Sequence, residues 1–107
     1  MTDIGNEPLH LALILAADGP RLLTAAPTRP ALLERVAGYV ARYAPHQLWP
    51  DDAAYVFTLL DGGHHERAIR HYFDADRRWD REELQLSIVE VDEAAATASA
   101  GAADFRA

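Results

Sequence analysis

Leu9-His10-Leu11-Ala12-Leu13-Ile14-Leu15-Ala16-Ala17-Asp18-Gly19-Pro20-Arg21-Leu22-Leu23 is the stretch whose reading decides the fold. Leu9, Leu11, Leu13 and Leu15 alternate with His10, Ala12, Ile14 and Ala16, which is the two-residue period of a strand. Both faces of that strand are largely apolar, as expected of a strand in the middle of a sheet. Asp18-Gly19 follows at once, a dipeptide that favours a tight hairpin turn. The chain then returns through Arg21 to Ala26. Pro20 has no N–H to donate, so this second strand is expected at an edge. His10, alone among leucines, reads as a strand-end or core histidine and is assigned no role.

The period changes downstream. Thr28-Arg29-Pro30 opens a helix, and proline suits the first helical position because that N–H has no intrahelical partner. Leu32, Leu33, Val36, Ala37, Val40 and Ala44 fall at helical spacing, and Pro45 is expected to stop the run. Trp49-Pro50-Asp51-Asp52 opens a second helix, its two acids placed where the helix dipole favours them. Its apolar stripe is Ala53, Val56, Phe57 and Leu60. Gly62-Gly63 ends it. A third helix is read from about His64 to Arg78, with Ala68, Ile69, Tyr72 and Phe73 inward. The glycine connection makes helices two and three an αα-hairpin. Leu84, Leu86, Ile88, Val89 and Val91 form a last strand.

The expected fold class is α+β, in the order β-β-α-α-α-β, with a three-stranded antiparallel sheet packed by helices on one face. One domain is expected over residues 9–92. Residues 1–8 read as a flexible N-terminal segment, and residues 93–107 as a flexible Ala-rich tail in which Phe105 alone is suited to docking. Strands that are apolar on both faces are a puzzle for a sheet covered on one side. They point to a possible homodimer, as does the alternating run Leu84 to Val91, which can pair edge to edge across a two-fold axis.

Bulk properties narrow the function classes. The chain has 107 residues, enough for one core, with half of them hydrophobic and a quarter charged. It has no cysteine, which excludes disulfides, thiolate metal ligands and cysteine nucleophiles. The formal net charge of −7 disfavours non-specific binding to nucleic acid or anionic membrane. The N-terminus is acidic and polar, unlike a secretory signal, and the longest apolar run is too short to span a bilayer. A cytoplasmic location is expected. All ten basic residues are arginine, and alanine is abundant, as in proteins of GC-rich bacteria.

Two constellations stand out. The first is His64-His65-Glu66-Arg67 through Arg70-His71 to Asp74-Ala75-Asp76-Arg77-Arg78-Trp79. On one continuous helix, His64, Arg67, His71, Asp74 and Arg78 would share a face. From His64 to Arg81 the segment carries a net charge of +1 against −8 for the rest. A metal reading takes His71 and Asp74 one turn apart, with Asp61 as a third ligand. It lacks the close His-x3-His spacing of a strong site, so no metal or cofactor is assigned. A nucleic-acid reading would use the arginines with Trp79 as a stacking platform, but interspersed carboxylates cancel most of the field. The ordinary alternative is a solvated helix face laced with ion pairs. A mixed Arg–Trp surface suits a protein partner better, and the partner-binding residues are taken as Arg67, Arg70, His71, Asp74, Arg78 and Trp79.

The second constellation is Tyr39, Tyr43, His46, Trp49 and Tyr55, around the connection between the first two helices. Aromatics at this density can wall a small-molecule pocket, and can equally cover helix ends as core-edge residues. Serine catalysis is poorly supported, since neither Ser87 nor Ser99 lies on a sharp turn. His71 with Asp74 could form an oriented general base, although such pairs are common on exposed helices.

The hairpin, helices and returning strand resemble the general build of small bacterial accessory proteins, such as immunity proteins and antitoxin-like partners. The likeness rests on no specific motif. It implies a small acidic protein–protein interaction module without catalysis. The alternative is a small-molecule-binding protein or enzyme using the aromatic and histidine group.

Overall fold

The computed structural model describes residues 8–90. The order is β1 (Pro8–Ala16), β2 (Gly19–Ala26), α1 (Arg29–Gln47), α2 (Pro50–Asp61), α3 (His65–Asp74) and β3 (Glu82–Glu90). The three strands form one antiparallel sheet in the order β2-β1-β3, so the leucine-rich first strand is central and the fold is α+β as expected. Pro8 already belongs to β1 and is no part of a separate leader. The remainder of that leader, Val91 and the tail from Glu93 lie outside the described residues.

The hairpin turns at Ala17-Asp18, and Gly19 enters β2 with φ +122°, a region closed to side chains with a Cβ. A register shift between Ile14 and Leu15 brings Leu15 opposite Pro20 and Ile14 opposite Leu22, leaving Arg21 as the extra residue. β2 is an edge strand, where Pro20 is tolerated.

Alternation along β1 sorts its side chains. Ala12 and Ile14 are fully buried beneath the helices, whereas Leu9, Leu11, Leu13 and Leu15 on the other face are only partly covered. Leu23, opposite Leu13, is 72% exposed. The helices therefore cover one face. Their contribution to the core is Leu32, Val36, Val40, Ala44, Val56, Leu59, Ile69 and Tyr72. Leu59, absent from the stripe read for the second helix, is buried in place of Leu60, which is half-buried.

Helix ends differ from expectation in three places. Thr28 caps α1, its Oγ1 accepting from the Ala31 amide at 3.2 Å, so Arg29 rather than Pro30 is the first helical residue. Pro45 does not stop α1, which runs on to Gln47. The proline sits in the last turn, where it removes one bond, and the Leu48 amide closes the helix on Ala44 O at 2.9 Å. α3 stops at Asp74, not near Arg78, because Ala75 turns extended at φ −60°, ψ 129°.

The loop from Ala75 to Arg81 is tied back to the end of α1. Gln47 is 6% exposed; its carbonyl accepts from the Trp79 amide and its Oε1 from the Asp80 amide, each at 2.9 Å. Leu48 and Arg78 form an isolated antiparallel bridge beside them.

Candidate functional site

The early end of α3 bends away from any extended helical face, and this redistributes the first constellation. Arg67, Arg70 and Asp74 are exposed on α3, and His71 is half-buried against α2. Arg78 does not join them. Its side chain is 4% exposed and turned inward, donating to Tyr72 O, to Asp80 O at 2.7 Å and to Glu82 Oε1 at 2.6 Å. As a residue offered to a partner Arg78 is therefore corrected: it is an internal strut. His64 is also off the face, serving as the residue before the helix.

What the fold brings together instead is a strip made of three groups of contacting side chains. Trp79 is 71% exposed and lies on Trp49, itself 37% exposed, with ring centroids 5.4 Å apart. Beyond Trp49, Pro50 starts α2 and presents Asp51 and Asp52 in its first turn. Arg77 bonds both, at 2.8 Å to Asp51 Oδ2 and 3.3 Å to Asp52 Oδ2. The other oxygen of Asp52 is 3.0 Å from His71 Nε2. Tyr55 stands edge-on to the His71 ring at 4.7 Å, and its hydroxyl accepts from Arg67 at 3.4 Å. Further along α3, Arg70 bonds Glu66 at 3.2 Å, and Glu66 is shared with Arg29 of α1 at 3.4 Å.

The charges on this strip are matched in place. Hydrogen bonding to Arg77 holds the Asp51 carboxyl below the usual range, and the same bond raises the Arg77 guanidinium. Both side chains are largely open to solvent, so the bond orients them more than it stabilises the fold. Between α2 and α3 the strip encloses a cleft of about 230 Å³ lined by Tyr55, Leu59, Arg67, Arg70, His71 and Asp74. That is smaller than the roughly 300 Å³ at which small-molecule pockets begin.

The second constellation is divided among four places. Tyr39 and Tyr43 stack on one another along α1 at 4.6 Å, Trp49 lies on Trp79, and Tyr55 lies on His71. His46 is exposed near the end of α1. The five side chains thus form separate clusters rather than one wall. Among the described residues no group of three or more His, Asp or Glu is placed to hold a metal ion, and Asp61 lies exposed at the far end of α2.

Sequence reasoning missed the best-connected residue. Glu82, first in β3, has a side chain with 0% exposure. Its Oε1 accepts from Tyr72 Oη at 2.5 Å and from Arg78, and its Oε2 accepts from Arg21 at 3.0 Å and from Tyr39 Oη. Burial, then the bond to Glu82, pushes both tyrosine hydroxyls well above their ordinary range. The bond to Glu82 also raises Arg21. Four donors occupy the carboxylate, so it has no free position with which to move a proton. Among the described residues no buried side-chain polar atom lacks a partner. The phase of Glu82 with Leu84 and Leu86 was the available signal, because those residues share its face.

No protein-family model matches the chain, and no curated protein or solved structure matches it either. No described helix is long and apolar enough to cross a membrane.

Proposed function

We propose that this is a small acidic interaction module of bacterial, cytoplasmic type, homodimeric and without catalysis, that docks another protein on the strip from Trp79 through His71 to Arg67 and Arg70. The observation that carries the reading is the exposed stack of Trp79 on Trp49. Two large aromatic rings held against each other in solvent supply contact area at low cost in side-chain entropy. Tryptophan and arginine are the residues that most often dominate binding energy at protein interfaces. Around them, Arg77, Asp51, Asp52, His71 and Tyr55 hold one another in place before any partner arrives. The mixed charge of the strip favours a protein over a polyanion, since its carboxylates repel phosphate as strongly as its arginines attract it.

The test compares capture by the wild-type chain with capture by a Trp79→Ala, Arg70→Glu double variant, scored by quantitative mass spectrometry. Both positions are exposed, so the variant keeps its fold. A protein retained by the wild type and lost from the variant is the expected result. Equal recovery of every captured protein overturns the assignment of this surface.

A further inference from the structure

β3 is an edge strand of a different kind from β2. β2 carries Pro20 and a bulge, both features that discourage another chain from pairing there. β3 runs nine residues from Glu82 to Glu90, in unbroken register with β1, without proline, bulge or basic residue. Its outer edge is unpaired among the described residues. The helix layer also stops short of it. Leu84 is half-buried, but Leu86 is 41% and Ile88 is 63% exposed on the face that carries the helices. Beside them a cleft of about 410 Å³ between α3 and β3 is lined by Leu33, Ile69, Phe73, Leu84 and Leu86 together with charged side chains that include Arg70 and Glu66.

The geometry points to a second copy of this chain as the occupant of that edge: two β3 strands pair antiparallel about a two-fold axis at Leu86, joining the sheets into one of six strands. The sequence of β3 is complementary to itself in this register. Leu84 faces Ile88 of the second copy, Leu86 faces Leu86, and Ile88 faces Leu84, all on the helix-bearing side. On the opposite side Gln85 faces Ser87, and Glu83 faces Val89. From 84 to 88 the cross-strand pairs are uncharged; Glu83 meets only Val89, and where Glu82 pairs with Glu90 at each end the Glu82 charge is already matched by Arg21 and Arg78. A two-fold axis normal to the sheet keeps both helix layers on one side and closes the assembly at two copies, because each β2 edge remains protected.

For a chain of net charge −7, association with itself needs a contact that adds little repulsion, and the centre of β3 is uncharged from Leu84 to Val89. A strip of about 30 Å along the strand and one sheet-plus-helix layer deep contributes on the order of 500 Å² per copy, the small end of specific interfaces. The dimer is therefore expected in the micromolar range of Kd, where it exchanges with monomer.

The absence of cysteine allows a clean test on the full chain. Leu86→Cys places two thiols directly across the axis, with Cβ atoms about 5 Å apart, a spacing that a small local closure brings to the roughly 4 Å of a disulfide. Leu23→Cys places a thiol on the uncovered leucine face beside the other edge. Under mild oxidation at micromolar protein, Leu86→Cys is expected to form a covalent dimer at least tenfold faster than Leu23→Cys. Leu86→Lys is expected to abolish the concentration-dependent dimer seen by sedimentation while its far-UV circular dichroism stays that of the wild type. Faster linking through Leu23→Cys would place the contact on the sheet face and overturn the proposal. So would a wild-type chain that remains monomeric at millimolar concentration. This dimer rests on the homodimeric part of the proposed function, and because Arg70 of the docking strip lines the cleft beside Leu84 and Leu86, Trp79→Ala alone separates the two readings: it is expected to lose capture of another protein and to keep the β3 dimer.

Discussion

Arg78 Nη2 lies 2.6 Å from Glu82 Oε1, and the two side chains are 4% and 0% exposed. This ion pair joins the loop after α3 to the first residue of β3, and Arg78 also lies over the Tyr72 ring at 4.7 Å from its centroid. Removing one partner of such a pair strands the other charge out of water. Glu82→Ala is expected to lower unfolding free energy by about 3–5 kcal/mol. Arg77→Ala, which breaks bonds to Asp51 and Asp52 on the open surface, is expected to leave the urea midpoint unchanged within error. Chemical denaturation of both variants gives the comparison. Equal shifts would mean that Glu82 is hydrated.

The same cluster predicts the response to alkali. Tyr39 and Tyr72 both have folded-state pKa values raised above the ordinary 10.0. The folded state thus holds protons that the unfolded chain releases. Stability from this source is complete below about pH 10 and falls as pH rises above it. Urea midpoints between pH 8 and 11 are expected to drop steeply above 10. Tyr72→Phe is expected to flatten that drop, while lowering stability at pH 8 by about 1–3 kcal/mol because Glu82 loses a donor.

Two sides of one sheet are expected to tolerate truncation differently. Ile14 is fully buried beneath the helices, and Ile14→Ala is expected to cost about 2–5 kcal/mol through lost burial and the cavity left behind. Leu23 is 72% exposed on the other face, and Leu23→Ala is expected to fall within about 0.5 kcal/mol of the wild type. Thermal or urea melts would expose an inverted sheet at once, since the two costs would then be exchanged.

Two glycines are expected to respond with opposite signs. Gly38 lies inside α1, and a Cβ added there meets nothing within 4 Å. Gly38→Ala is expected to raise stability by about 0.5–1 kcal/mol by removing unfolded-state freedom. Gly63, between α2 and α3, has φ +79°. Gly63→Ala is expected to lower stability by about 1 kcal/mol, from the strain of a Cβ in the left-handed region. Differential scanning calorimetry of the pair checks both.

The strands and the element order were legible because leucine alternation and the Asp18-Gly19 turn are local signals. The central place of β1 followed from its two apolar faces. The end of α3 was not legible: Ala75 leaves the helix with neither glycine nor proline to announce it, so helical spacing carried Arg78 onto a face it never joins. Pro45 misled in the opposite sense, because a proline in the final turn costs a helix only what that turn can spare. Glu82 was hidden by its neighbour. Glu82 and Glu83 are chemically identical, and only parity, with Glu82 opposite Ala16 and Glu83 opposite Leu15, decides which enters the core. The aromatic and histidine group was read as one because its members are near in sequence; helix geometry sends them to separate places.

The pairing of β1 with β3 has a consequence for synthesis. β1 is translated first among the described strands and β3 last, with all three helices between them. A nascent chain can close the β1–β2 hairpin and form helices early, but the inner edge of its central strand stays open until residues 82–90 emerge. Glu82, the residue that gathers Arg21, Tyr39, Tyr72 and Arg78, arrives at the same late moment. Until then Arg21, Arg78, Tyr39 and Tyr72 lack their acceptor, so cooperative folding waits for nearly the whole described chain. Interruption of translation before β3 would leave a leucine-rich ribbon with an unsatisfied edge, a species suited to aggregation and to removal by proteases.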